Sequence, residues 1–261
     1  MAEDNLILKN WLEQESVFTE NLTICRKRPT IVAVHDIRVA IKKLRSFLRL
    51  KDLFTNASWK DEFSKTAALF KSLGRLRDFD KSLHVVRKYE HNGSTSYPRF
   101  KEYLRENRKL VRKWVRKEAE EFNPQTDFFT DQLRSLSITD DQVIKKVIEE
   151  TAQKIRKVKN LGRHVKKNAH EMRKQLKDVY FWVKICPENS INEVISVKAL
   201  DKFLDDLGHW QDHFVLRRKL KPYRKETAIK EEKDQLKELE KKLTDEQDQI
   251  LQKAKDKLQE V

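Results

Sequence analysis

The sequence predicts an all-α protein made of a duplicated helical bundle, and three observations predict it. Four glycines and five prolines in 261 residues leave little material for the turns of an all-β fold. Apolar residues recur at steps of three and four over long stretches, which is the pattern of one buried helix face. Two blocks of residues also recur in the same order, 134 to 135 positions apart. Hydrophobic and charged residues each make up 38% of the chain, and 13 Phe, 5 Trp and 5 Tyr supply material for cores. A chain of this length can bury one large core or two smaller ones.

Taken in order, a first helix is expected over 5–26, with Leu6, Trp11, Leu12, Val17 and Phe18 as its apolar positions. Pro29 ends it, because a residue preceding proline disfavours helix. A second helix covers 31–54. A third follows the cap-like Asn56-Ala57-Ser58, with Trp59, Phe63, Ala67 and Phe70 on one side, and is expected to stop near Gly74. A fourth then runs from Gly74 to His91, with Phe79, Leu83 and Val86 inward. A loop over 92–96 leads to Pro98, which suits the first turn of a helix over 98–122.

The run Asn123-Pro124-Gln125-Thr126-Asp127 marks the boundary between a first half, 1–123, and a second half, 138–261, within a single domain over 1–261. A short segment around 128–136 precedes a helix over 139–161. The next helix, 164–186, is closed by Pro187. Helices over 193–207 and 209–221 follow, with Pro222 as punctuation. The charged C-terminal stretch carries Leu236, Leu239, Leu243, Ile250, Ala254 and Leu258 at helical spacing and is expected to pack on the bundle.

The helix over 31–54 carries two stripes. Val34, Ile37, Ile41, Leu44 and Leu48 step 3, 4, 3, 4 along an apolar face. His35, Arg38, Lys42, Arg45 and Arg49 take the same steps one residue on, about 100° around the helix. The plainer explanation of the second stripe is a solvated helix surface. Against it, the stripe borders the apolar face directly and almost lacks the acidic i,i+4 partners of such a surface.

The pattern also occurs twice. His170, Arg173 and Lys177 stand 135 positions after His35, Arg38 and Lys42, with Ala169, Met172, Leu176, Val179 and Val183 as the matching apolar stripe. Leu207-Gly208-His209-Trp210-Gln211-Asp212 stands 134 positions after Leu73-Gly74-Arg75-Leu76-Arg77-Asp78. A solvated surface has no reason to repeat His, Arg and Lys at equivalent positions. Two such units packed about a pseudo-two-fold would turn both stripes toward one central groove. Asp78 and Asp212 read as caps of helix starts after the glycines. A further stripe, Lys101, Arg105, Arg108, Arg112 and Arg116, balances between a solvated face and a binding one.

The net charge of +15 calls for a polyanionic partner or anionic surface. Arg offers bidentate contacts to phosphate oxygens and Lys a compact charge, so the expected ligand is a phosphate-rich linear polyanion. Cys25 and Cys186 suggest neither a disulfide framework nor a metal knuckle, and no carboxylate or His cluster has metal-ligand spacing. No cofactor is expected. The acidic N-terminus and the lack of a long apolar run lead to the expectation of a cytoplasmic protein without a membrane span.

At these residues the chain resembles the CHAD family of helical polyphosphate-binding domains. The resemblance rests on His35-x-x-Arg38-Val39 with Lys42, Lys43, Leu44 and Arg45, and on Leu73-Gly74-x-x-Arg77-Asp78. With the weaker second copies it spans about 5 to 223. It implies two four-helix-type halves with pseudo-two-fold symmetry around a basic central channel. It further implies that His35, Arg38, Lys42, Arg45 and Arg77 line the channel from one half, and His170, Arg173 and Lys177 from the other. Lys43 and Arg49 complete the expected binding set, with Arg105, Arg108, Arg112, His209 and Arg218 as further candidates. Tyr180, Asp178 and Gln211 stand where Arg45, Lys43 and Arg77 stand, which leaves the second wall less basic. The implied partner is inorganic polyphosphate or other phosphate or sulfate anions, with a phosphate-metabolism protein and polyphosphate granules as the setting.

Two rival functions come from other classes. His170-Glu171-Met172-Arg173 looks superficially like a phospho-accepting histidine motif, but only Gly208 lies beyond it to build a nucleotide-binding loop. General nucleic-acid binding fits the charge, with Trp114 and Trp210 beside basic residues as a stacking surface would require, but no recognition motif accompanies them.

Overall fold

The structure is a computed structural model that describes residues 5–55, 58, 63–91, 95–124 and 126–258. Among these all regular structure is helical: α1 (Leu6–Lys27), α2 (Ile31–Asp52), α3 (Ser64–His91), α4 (Pro98–Glu121), α5 (Thr126–Arg134), α6 (Asp140–Leu161), α7 (Val165–Val183), α8 (Glu188–Ile191), α9 (Val197–Glu226) and α10 (Lys230–Lys257). A 3-10 turn, Gly162–His164, leads into α7.

Local chemistry explains several helix starts. Asn5 caps α1 by accepting from the Ile7 and Leu8 amides, and Thr30 caps α2 through the Ala33 amide. Pro98 occupies the first turn of α4. Thr139 and Gln142 form a reciprocal capping box on α6. The apolar stripe of α2 is buried at every expected position, and so is its counterpart on α7.

Three expected breaks are absent. Gly74 does not end a helix; α3 runs through it to His91, and α9 likewise runs through Gly208. The proposed helices over 193–207 and 209–221 are therefore one. Glycine costs a helix interior only about 1 kcal/mol relative to alanine, and tertiary packing overrides that. Pro222 also lies inside α9, not between helices. Buried Leu220 and the packing of Tyr223 against Phe100 and Tyr103 hold this last turn in place. Asp78 and Asp212 accordingly sit mid-helix and cap nothing. The expected cap residues Asn56 and Ala57, the apolar Trp59 and the turn residues 92–94 lie outside the described residues.

Four helices form the centre. α2 packs on α3 and α7, and α9 packs on the same two, so the four close a ring. Around it α1 lies on α2, α4 on α3, α6 on α7, and α10 on α9 and α7. The C-terminal helix is therefore packed, burying Leu236, Leu239, Leu243, Leu251 and Ala254. Ile250, expected inward, is only half-buried, and Leu251 takes that place.

Two apolar clusters flank the ring. The larger includes Leu69, Leu73 and Leu76 of α3 with Leu200, Phe203, Leu204 and Leu207 of α9. The smaller joins Leu83 and Val86 to Leu216 and Leu220, closed by Phe100 and Leu104 of α4 and Leu236 and Leu239 of α10. Between the clusters both α3 and α9 carry polar side chains, and this interval positions the site.

Candidate basic site

Lys42 marks its centre. The lysine's pKa is lowered to about 7, first by burial and then by the charges of Arg38, Arg173, Lys177 and Arg77. Cations from α2, α3 and α7 thus act on one ammonium. Like charges this dense raise the free energy of the empty site, and a bound anion relieves it.

Arg38 is held in a fixed pose. Its Nη1 donates to the Phe70 carbonyl at 2.7 Å, and its guanidinium carbon lies 4.2 Å from the Phe70 ring centroid. Arg45, two turns on, approaches the same ring at 5.7 Å. Phe70 therefore organises two arginines of the stripe. Burial pushes Arg38 down to about 10, with Asp78 opposing and Arg77 adding to the shift, so it stays charged at neutral pH.

Gly74 makes room for this pose. A Cβ there would stand 2.7 Å from Arg38 Nη1. Gly208 stands in the corresponding relation to Arg173, with a looser 3.8 Å approach of Nη2. The Nε of Arg173 is buried and finds no hydrogen-bond acceptor among the described residues.

His35 is exposed at the same end of α2. Burial of its ring lowers its pKa, and Arg77, Lys42 and Lys81 lower it further against Asp36. His170 is also exposed, and its charge acts on neighbouring Glu171. Lys43 is half-buried beside Lys42 in sequence but points about 100° away around α2.

Arg49 is engaged elsewhere. Its Nη1 donates to Asp178 at 2.5 Å, joining α2 to α7. Burial raises the Asp178 pKa against the opposing charges of Arg49 and Lys154. One turn back along α2, the buried Trp182 indole donates to the Ser46 carbonyl at 2.9 Å.

The α4 stripe is mostly paired. Lys101 meets Glu90 at 2.7 Å, Arg105 meets Glu102 at 3.2 Å, Arg108 meets the buried Asp80 at 2.5 Å, and Arg116 meets Glu120 at 3.2 Å. Arg112 lies beside Arg108, Asp80 and Arg28, and burial lowers its pKa. These arginines hold α4 to α3 and to itself.

Several participants carried no distinctive sequence signal. Lys81 of α3 bridges to Asp212 of α9 at 3.0 Å. Lys219 lies 3.5 Å over the Phe79 ring and acts on Asp78, as does Arg218, which was among the expected further candidates. Burial raises the Asp78 pKa against these cations, and nearby Asp212 adds to the rise. Asp201 and Asp205 act on Lys177, whose pKa burial lowers; Lys177 stacks on Tyr180 at 4.8 Å. The α7–α9 side is therefore partly neutralised by carboxylates. Asp201 and Asp205 are four residues apart, so one helix face carries both, a spacing visible in the sequence. His209 is exposed and acts on His213.

Among the described residues no group of three or more His, Cys, Asp or Glu is placed to hold a metal ion, and no helix is long and apolar enough to cross a membrane. Cys25 and Cys186 are buried free thiols.

A family model for the CHAD domain matches residues 16–221. The chain belongs to the CHAD family. The crystal structure of the CHAD domain from the plant Ricinus communis is similar over 98% of this chain and 90% of that one, with a TM-score of 0.69 and 18% identity. At that identity the likeness shows a shared fold between two CHAD domains. No curated protein matches the chain.

Proposed function

We propose that this CHAD domain binds inorganic polyphosphate, without catalysis, at the cationic group around Lys42. The observation that carries this is the convergence of Arg38, Lys42 and Arg77 with Arg173 and Lys177. The first three belong to one half of the chain and the last two to the other, in keeping with a duplicated domain whose stripes share one basic channel. His35 and Arg45 extend the group along α2. Polyphosphate offers one negative charge or more per unit on a thin unbranched chain, which suits side chains spaced along packed helices. Several cations neutralising it together make affinity grow with chain length and fall steeply with salt.

Carboxylates make the binding unequal. Asp201 and Asp205 offset Lys177, whereas the equivalent positions of the first half are Ala67 and Lys71. The first half therefore supplies the larger share of anion contacts.

General nucleic-acid binding is the second reading, and one observation favours it. Arg75 lies 4.9 Å from the ring of Trp114, which is 41% exposed, as a base-stacking platform requires. A competition assay at near-physiological salt separates the two. Labelled long-chain polyphosphate is challenged with single-stranded DNA, duplex DNA, RNA and ATP. Competition by polyphosphate alone at low concentration supports the proposal. Equal competition by nucleic acids, counted per phosphate, replaces it with general polyanion binding.

A further inference from the structure

Away from the ring, the 3-10 turn and the start of α7 meet the last turns of α10 around an open cavity of about 450 Å³. Arg163, Lys166, Lys167 and Lys255 line it together with His164. Asp248 is the one carboxylate in that lining among the described residues, and Lys166 already occupies it at 2.7 Å. Three fixed cations therefore remain around a concavity, beside the neutral amide of Gln252. Solvated helix surfaces intersperse both signs, as α4 does with its carboxylates; among the described residues this wall sets one carboxylate against four fixed cations.

The cavity is in line with the central group. Lys166, His170, Arg173 and Lys177 step 4, 3 and 4 along α7 and so share one face. At about 1.5 Å of rise per residue, Lys166 lies roughly 10 Å along the helix from Arg173. Lys166 and His170 are exposed, and Arg173 is half-buried, so the row passes from solvent into the site. His170 lies on this row between the cavity and Arg173.

We infer that the cavity between α7 and α10 is a second station for the same polyphosphate chain, reached along His170 as the chain leaves the centre. The inference rests on polyphosphate binding at Lys42. Its consequence is a length threshold: chains too short to span α7 engage the centre alone, and longer ones gain the contacts of Arg163, Lys167 and Lys255. The linked contacts act at high effective concentration, so the gain in affinity exceeds what either station gives alone.

The test compares long-chain polyphosphate with tripolyphosphate on the full chain, with Lys167→Gln plus Lys255→Gln as the variant. Both lysines are exposed, so the fold should survive, which circular dichroism checks. The expected result is a loss of tenfold or more in long-chain affinity, with the log–log salt slope reduced by about two. Tripolyphosphate affinity should change less than twofold. If long-chain affinity and slope are unchanged while Lys42→Gln still abolishes binding, the second station is wrong and the central site stands. An equal loss for both ligands also overturns it, because the cavity would then belong to the primary site. If the unaltered protein binds neither ligand, the central reading fails and the second station with it.

Discussion

The guanidinium of Arg38 occupies the space that a side chain on Gly74 would need, with Nη1 only 2.7 Å from the Cβ position. That nitrogen also donates to the carbonyl of Phe70, one turn earlier on α3. The glycine thus serves α2, although it sits on α3. Alanine at 74 should gain up to about 1 kcal/mol of helix propensity and lose an arginine–carbonyl bond worth about 1.5–3 kcal/mol. Gly74→Ala is therefore expected to destabilise by about 1 kcal/mol and to weaken polyphosphate binding about tenfold as Arg38 moves. Gly208→Ala meets Arg173 only at ordinary contact distance and should stabilise by up to about 1 kcal/mol with binding intact. Urea melts and binding isotherms on both variants check this; identical behaviour of the two would contradict it.

Lys42 makes stability and binding depend on pH in opposite senses. Its pKa falls from 10.5 to about 7 on folding, first through burial and then through Arg38, Arg173, Lys177 and Arg77. Between those pH values the unfolded chain holds a proton that the folded chain has released, so stability rises with pH across the window. Lys42→Met should flatten that rise in urea melts taken from pH 7 to 10. A bound polyanion favours the charged ammonium, so affinity should fall as pH rises above 7 and binding should take up a proton. Calorimetry at pH 8 in buffers of different ionisation enthalpy measures that uptake. His35, depressed by burial and by Arg77, contributes separately at acidic pH, below the usual imidazole range.

Which residues could be read from the sequence, and which could not, follows from how local their causes are. Helix starts set by Asn5, Thr30, Pro98 and Thr139 depend on side chains within three residues, and the two apolar stripes depend on period alone. Both were legible. Gly74 and Gly208 look locally like stops, but both lie inside long helices, and only at Gly74 does an arginine of another helix fill the space a side chain would need. Pro222 is carried inside α9 by aromatic packing from α4. The basic stripe of α2 was legible as a stripe. Its division into Lys42, facing four other cations, and Arg49, facing Asp178, depends on which side of α7 each meets. On α4, Lys101 and Arg108 pair with Glu90 and Asp80, 11 and 28 residues away on α3, whereas Arg105 and Arg116 pair within their own helix.

The Arg49–Asp178 pair should behave as a tie between α2 and α7 and not as an anion contact. The Asp178 side chain is 11% exposed and the Arg49 side chain 27%, so removing the arginine leaves a carboxylate largely without solvent. Arg49→Met is expected to cost about 3 kcal/mol, and adding Asp178→Leu should restore most of it, since two apolar groups replace a desolvated pair. Urea unfolding of the two variants and the double variant measures the coupling. A double variant as unstable as Arg49→Met would show that the pair does not act as a unit. Polyphosphate affinity of the double variant should stay within about threefold.

The α4 stripe gives the sharpest contrast between charge that is present and charge that is available. Arg105 and Arg116 are exposed and already matched by Glu102 and Glu120 on their own helix. Each such pair contributes about 0.3–0.5 kcal/mol, so Arg105→Gln with Arg116→Gln should barely change stability. If binding followed net charge alone, losing two cations on α4 would weaken it as much as losing two anywhere else. If it follows the cations left unmatched around Lys42, the same loss should change the polyphosphate affinity less than twofold and leave the salt slope intact. Arg77→Gln, which removes one of the charges acting on both His35 and Lys42, should reduce that slope by about one. Salt titrations of the two variants side by side decide between net charge and local arrangement, because the variant that removes more charge is the one expected to bind better.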